Sequence, residues 1–290
     1  MTDAEGVQFL QWCLPRLRHC WSGYRKVRRQ VYKRLRRRLE SLGLGSLAEY
    51  RSYLEAHSEE WGILDTSCWI SISRFYRDKS VFRLLEQEVL PELARQVLVK
   101  GERTLYCWSI GCASGEEPFT LSLVWKLALQ SRFPSVRFVV LATDVDQQAI
   151  GRAQRGCYPP SSLRDLPESW GGEGFDHTAE GSMIKAEFRE SVTFLEQDIR
   201  HVMPRESFHL ILCRYLVFTY FDASLQSDTL RQFVERMQVG GALLPDGEFG
   251  LVPWSQKEGV YRRAPAESVI TRHSIRGVYT RDPSIYLTVT

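Results

Sequence analysis

The chain has 290 residues, 43% hydrophobic and 25% charged, a balance that suits a globular protein with a full apolar core and excludes disordered, collagen-like and repeat-array chains. The net charge of +3 conceals an asymmetry, because Arg16 to Arg38 holds eleven of the 38 Lys and Arg and no acid. Seven cysteines without a C-x-x-C pair read as reduced thiols of a cytoplasmic protein, the six scattered histidines offer no metal-ligand spacing, and the longest apolar run, Leu210 to Phe221, is too short for a membrane span.

The first element is a basic helix over residues 25–42. Val27, Val31, Leu35, Leu39 and Leu42 recur every three or four positions, which places them on one helical stripe. Arg28, Arg29, Lys33, Arg34, Arg36, Arg37 and Arg38 occupy the other faces. Such a charge run is either a solvated surface or a contact for an acidic partner, and with no aromatic stacking pattern beside it a protein is favoured over nucleic acid. Gly43 and Gly45 stop this helix, and a second follows from Ser46 to about Ala56 with Leu47, Tyr50 and Leu54 inward.

After about Arg103 short β-rich runs alternate with helical patterns, as in a parallel α/β sheet. The predicted strands are Thr104–Ile110, Val136–Thr143, Val192–Gln197, Phe208–Cys213 and Ala242–Leu244. The intervening helices cover Pro118 to Gln130, a segment capped by Asp146 and ended by Gly156, and one capped by Ser224 with Leu230, Phe233, Val234 and Met237 on its face, closed by Gly240-Gly241. Residues 161–190 are rich in Gly, Ser and acids and read as a flap or small insertion of weak order, with strand alternation only at Met183–Phe188. The tail reads as a hairpin around Asp282-Pro283.

The first strand ends in Ser109-Ile110-Gly111-Cys112-Ala113-Ser114-Gly115 and runs into Glu116-Glu117-Pro118. In a doubly wound sheet ligands sit at this end of the strands. Glycines also serve a tight turn on steric grounds alone, and either glutamate also complements a helix macrodipole. Two carboxylates here repel a pyrophosphate and welcome a ligand with an ammonium and a sulfonium. The next strand ends in Asp144, where an acid accepts both ribose hydroxyls, and the following one in Asp198. That set of groups suits S-adenosylmethionine.

The segments Ile72-Ser73-Arg74-Phe75-Tyr76-Arg77-Asp78, Trp108 to Pro118, Ala142-Thr143-Asp144-Val145-Asp146 and Cys213-Arg214 followed by Tyr220-Phe221-Asp222 resemble those of the CheR-type chemotaxis receptor methyltransferases. In order and spacing the resemblance covers about Val31 to Gly247. It implies an α/β, class I methyltransferase (Rossmann-like) fold, a mostly parallel sheet with helices on both faces, preceded by a small all-α domain. The expected domains are a helical one over 1–95 and an S-adenosylmethionine-binding one over 96–290. Residue by residue, it implies that Ser71, Ser73 and Arg77 line the donor site from the helical side. Gly111 and Glu117 come from the glycine turn, Glu117 facing the donor's amino-acid part. Asp144 holds the ribose, Asp198 and Ile199 flank the adenine, and Arg214 and Tyr215 fill the last position. Arg77 and Tyr220 are the implied catalytic residues. The alternatives are an ordinary surface ion pair of Arg77 with Asp78 or another acid and simple packing of Tyr220.

The expected reaction is methyl transfer to a carboxylate oxygen, most simply of a protein glutamate, with S-adenosylhomocysteine as product and no metal. The basic helix over 25–42 is then a docking face for an acidic acceptor. Methylation of a small-molecule carboxylate and a non-catalytic donor-binding module stay open as alternatives. Departures from the family pattern are Ser73 for Thr, Tyr76 for Phe (which brings a polar tip near the site), Tyr215 for Asn, one added residue before Tyr220, and Asp246-Gly247-Glu248 where a Gly-His-Ser-Glu ending is usual.

Overall fold

The computed structural model describes residues 2–245 and, as backbone, the strands at 252–255 and 260–262. The expected tail hairpin and the departure at 246–248 lie outside the described residues. The chain divides into two compact units, Met1–Ser71 with Thr219–Gln226, and Ile72–Phe218 with the residues from Ser227 on. The division thus falls after Ser71 and not after residue 95. The cause is a helix of three consecutive pieces, Lys79–Leu84, a π turn at Leu85–Val89 and Leu90–Val99. Its Phe82, Leu85, Val89, Leu93 and Val97 are buried with Leu105, Phe138, Val140 and Leu210 of the sheet. Among the described residues no helix is long and apolar enough to cross a membrane.

The first unit is helical: Asp3–Cys13, Arg28–Leu42, Leu47–Ala56 and Glu60–Cys68. The basic helix starts at Arg28, three residues later than periodicity predicts, because a short helix at Trp21–Tyr24 and a turn precede it. Its stripe of Val31, Leu35 and Leu39 is buried as expected, joined by Tyr32. The charge run is partly spent inside the unit. Arg38 grips buried Glu60 at 2.8 and 2.6 Å, Arg34 donates to the carbonyls of Ser67 and Trp69, and Arg28 reaches Asp3 at 2.9 Å. Arg25, Lys26, Arg29, Lys33, Arg36 and Arg37 remain exposed.

Among the described residues the second unit has ten strands: β1 Thr104–Ile110, β2 Arg137–Asp144, β3 Cys157–Tyr158, β4 Phe175–Thr178, β5 Gly181–Ile184, β6 Val192–Glu196, β7 Phe208–Cys213, β8 Met237–Pro245, β9 Val252–Ser255 and β10 Val260–Arg262. Seven form one sheet in the order β6-β2-β1-β7-β8-β10-β9. β6, β2, β1, β7 and β8 are parallel, and β10 pairs antiparallel with β8 and β9. The order reverses between β1 and β7, and a doubly wound sheet opens its ligand crevice at that switch point. One face is covered by the helix from Lys79 to Val99 and by Glu116–Leu123 with its π turn Val124–Leu129, where Trp125 stacks on Phe138 at 4.8 Å. On the other face Trp108 packs against Phe208 and meets Phe233 edge-on, at 5.2 and 5.7 Å.

Three local expectations are corrected. The helix Ala223–Arg236 is capped by Asp222, whose Oδ1 accepts from Leu225 N at 2.7 Å, and Ser224 lies inside it. It ends at Arg236, and Met237 opens β8. Gly240-Gly241 is not a helix stop but a bulge: pairing jumps from Phe208↔Met237 to Leu210↔Ala242, with Gly240 at φ +82° and a Cβ on Gly241 only 2.8 Å from the Gln238 carbonyl oxygen. Residues 161–190 are an ordered module. β3, β5 and β4 form an antiparallel sheet whose Tyr158, Phe175 and Ile184 pack with Phe75, Phe119 and Phe188.

His209 replaces a ladder bond between β1 and β7. Its Nδ1 accepts from Tyr106 N at 3.1 Å and its Nε2 faces Glu102 at 3.3 Å. Burial depresses its pKa, against the attraction of Glu102. A neutral buried imidazole stabilises the fold fully above the unfolded value of about 6.5 and loses that contribution as pH falls through the folded value. Melting temperature should therefore drop below about pH 6.5, with a shallower slope in His209→Gln, which keeps an acceptor for Tyr106. Parallel slopes would count against this role.

Candidate functional site

Gly111 and Cys112 both donate backbone N–H bonds to the Thr143 carbonyl, at 2.8 and 3.0 Å, and Ala113 N donates to Asp144 Oδ2 at 2.8 Å. The end of β2 therefore shapes the turn after β1. Five non-glycine residues of the described chain have positive φ, and Tyr76, Asp78, Ala113 and Tyr215 are four of them. Tyr76, Asp78 and Ala113 lie in the motif segments and Tyr215 directly follows Cys213-Arg214, and left-handed backbone at non-glycine residues costs energy. Gly111 (φ +69°) faces Leu216, whose Cδ2 is 2.9 Å from where a Cβ would stand.

Glu117 is buried. Its Oε1 accepts from Ser109 Oγ at 2.8 Å and its Oε2 from Arg214 Nη1 at 3.1 Å. Desolvation raises its pKa, opposed by Arg214 and more weakly by Arg77. Asp144 Oδ1 accepts from Asp146 N at 2.9 Å, and burial raises its pKa too. Glu116 is buried, with Ser162 Oγ 3.4 Å from Oε1 and no hydrogen-bond partner on Oε2. Burial raises its pKa, and the hydroxyls of Ser73 and Ser162 oppose the shift. Asp146 caps the next helix as predicted, accepting from Gln148 N and Ala149 N.

Arg214 is the link among these groups, donating to Glu117 and to Asp78. Tyr215 Oη donates to the same Asp78 Oδ2 at 2.6 Å. The Arg77 guanidinium lies over the Tyr215 ring, 3.8 Å from its centroid, and donates from Nη1 to Ile72 O at 2.9 Å. The alternative of an Arg77–Asp78 ion pair is thus not realised, because Asp78 is occupied by Arg214 and Tyr215.

Ser73, Arg77, Gly111, Glu117, Asp144, Arg214 and Tyr215 all belong to the second unit, linked by these contacts. Asp198 and Ile199 follow β6, which pairs with β2 through Asp144↔Glu196, while Gln197 N donates to Asp144 O at 2.8 Å. Asp198 is gripped by Arg200 Nη2 at 2.7 Å and Nε at 2.9 Å, and Ile199 is buried. Ser71 and Tyr220 fall in the first unit. There the Tyr220 ring packs on Tyr24 at 5.0 Å and its carbonyl accepts from Cys20 N at 2.7 Å. Tyr76 does not bring its polar tip to the cluster. Its ring is buried against Phe82 and Trp170, and its hydroxyl donates to Glu86 at 3.4 Å. Asp78 and Ser109 stand in the motif segments without a site role expected of them, and Arg200 has no sequence signal.

A family model described as "CheR methyltransferase, SAM binding domain" matches residues 71–247. The chain is 32% identical over 228 residues to the chemotaxis protein methyltransferase of Salmonella typhimurium, covering 74% of each. It is 30% identical over 178 residues to that of Listeria monocytogenes, covering 61% of this chain and 64% of the relative's length. A solved N-methyltransferase, NodS from Bradyrhizobium japonicum with bound S-adenosyl-L-homocysteine, is 19% identical over 56% of this chain and 64% of that one, with a TM-score of 0.28, a likeness too slight to argue from. With a model matching residues 71–247 and a relative 32% identical along 74% of the chain, the protein belongs to the CheR methyltransferase family.

Proposed function

We propose that this chain transfers a methyl group from S-adenosylmethionine to a carboxylate oxygen of a protein glutamate. The observation that carries the reading is Arg77: a guanidinium held face-on to a ring, paired with no carboxylate among the described residues, and within electrostatic reach of the largely enclosed Glu117. The donor set fits the adenosyl sulfonium. Glu116, Glu117 and Asp144 carry acceptor oxygens, and Glu116 Oε2 and Gln197 Oε1 are buried without a partner, so an ammonium and two hydroxyls would satisfy groups that burial otherwise leaves costly.

Bound there, S-adenosylmethionine supplies an electrophilic methyl group on a cationic sulfur. Glu117 would hold its amino-acid part, Asp144 the ribose, and Asp198 with Ile199 the adenine side. The acceptor carboxylate is already ionised at neutral pH, with an ordinary pKa of about 4.3, so no general base is required. Arg77 fixes its orientation through the N–H edges that the Ile72 carbonyl and the Tyr215 ring leave open. Because a cation also withdraws electron density from the nucleophile, its contribution is alignment. The exposed face of Arg25, Lys26, Arg29, Lys33, Arg36 and Arg37 is assigned to an acidic region of the acceptor, an attraction that weakens with salt. Seven free cysteines support a cytoplasmic setting.

Calorimetric titration tests the reading. Both S-adenosylmethionine and its demethylated product should bind, and Asp144→Asn should weaken binding by about 1.5–3 kcal/mol, the range for hydrogen bonds to a charged group. A one-CH2 mass gain should appear on a glutamate of the acceptor. Absence of heat with either nucleoside would sink the proposal.

A further inference from the structure

Tyr215 follows the end of β7 with φ +55°, a conformation in which a bulky residue is an outlier and asparagine is far better tolerated. Retaining an aromatic ring there costs backbone strain, so its contacts are the place to look for a compensating role. It has two. The ring underlies the Arg77 guanidinium at 3.8 Å, and the hydroxyl donates to Asp78 Oδ2 at 2.6 Å.

The second contact matters because Asp78 follows Arg77 directly in the chain and is its nearest acid in sequence. A carboxylate that captured Arg77 would neutralise the group assigned to the incoming acceptor. Instead Asp78 is held by Arg214 on one side and by the Tyr215 hydroxyl on the other. A guanidinium stacked on a ring keeps its in-plane N–H donors available, since cation–π attraction uses its face and not its edges.

We infer that Tyr215 is a positioning residue for Arg77: its ring holds the guanidinium flat, its hydroxyl keeps Asp78 turned away, and together they leave the arginine fork open to the acceptor carboxylate. The inference rests on the proposed transfer to a carboxylate and adds to it the residue that prepares the grip.

Tyr215→Asn and Tyr215→Phe test it. Asparagine relieves the backbone strain but removes ring and hydroxyl. The melting temperature should hold or rise while the acceptor KM, measured at saturating donor, increases roughly tenfold or more. Phenylalanine keeps the ring and leaves Asp78 to Arg214 alone, so its acceptor KM should fall between wild type and Tyr215→Asn. Loss of activity in step with loss of stability, or a wild-type acceptor KM in Tyr215→Asn, would overturn the inference. An acceptor-free measurement separates it from the parent reading. The Arg77 Nε–H resonance, assigned with Arg77→Lys, should be shifted upfield by the ring in wild type and in Tyr215→Phe, and return to its ordinary position in Tyr215→Asn. An unshifted wild-type resonance overturns the clamp whatever the activity. Wild-type protein that methylates no carboxylate overturns the parent reading, even where the resonance behaves as expected.

Discussion

Arg77→Ala is expected to lose at least about 100-fold in kcat/KM for the acceptor while still binding the methyl donor. Two charge-assisted hydrogen bonds to a carboxylate, each worth about 1.5–3 kcal/mol, correspond to a factor between roughly 100 and roughly 20,000. Misplacement of a reacting group by even about 1 Å costs on the order of a hundredfold. The donor-binding acids have their own supports: Glu117 is held by Ser109 and Arg214, and Asp144 by the backbone of Ala113 and Asp146. Removing Arg77 leaves all of these in place, so donor affinity should fall only modestly. Arg77→Lys retains the charge without the planar fork and should recover a small part of the rate. Initial rates over a range of acceptor concentration, with donor affinity measured separately, decide the matter. Wild-type turnover in Arg77→Ala would remove this residue from the reaction.

Much of the second unit was legible because its sheet strands are apolar runs bounded by turn residues. Thr104–Ile110 and Phe208–Cys213 stand at their predicted limits. β8 was misjudged at its start because Leu230, Phe233, Val234 and Met237 continue a helical period across the junction, and only pairing with Phe208 draws Met237 into the sheet. The module at 157–189 was obscured by its strands of two to four residues, too short for alternation to register. The glycine turn and Asp144 were readable from position in the βα unit. The ion pairs that organise the cluster were not: Asp78 and Arg214 lie 136 residues apart, and no spacing rule joins residues brought together only by the sheet. Asp78 did stand in the quoted motif, and its pairing with Arg214 and Tyr215 is visible only in three dimensions. The basic helix shows the opposite error, since charge counted along the chain cannot reveal that Arg28, Arg34 and Arg38 are spent on neighbouring helices.

Glu117→Gln is expected to separate stability from binding. Burial raises the Glu117 pKa despite the nearby Arg214, so the folded state binds its proton more tightly than the unfolded chain. A carboxyl of this kind favours folding below its unfolded pKa of about 4.3 and loses that advantage as pH rises through the folded value. At neutral pH the ionised side chain therefore works against the fold, and an uncharged isostere removes that burden. Arg214 is not left without an anion in the variant, because Asp78 still pairs with it. The ligand-free variant should melt at the same temperature as wild type or higher near neutral pH, with the gap closing as pH approaches about 4. Donor affinity should move the other way, down by roughly tenfold to a hundredfold, because glutamine offers the donor's ammonium a neutral acceptor in place of a charged one. Thermal melts across pH combined with calorimetry read both quantities on one sample. A variant that loses stability at neutral pH would mean that the Arg214 pair outweighs desolvation. Unaltered donor affinity would mean that Glu117 supports the turn without touching the ligand, leaving Glu116 as the acid to test next.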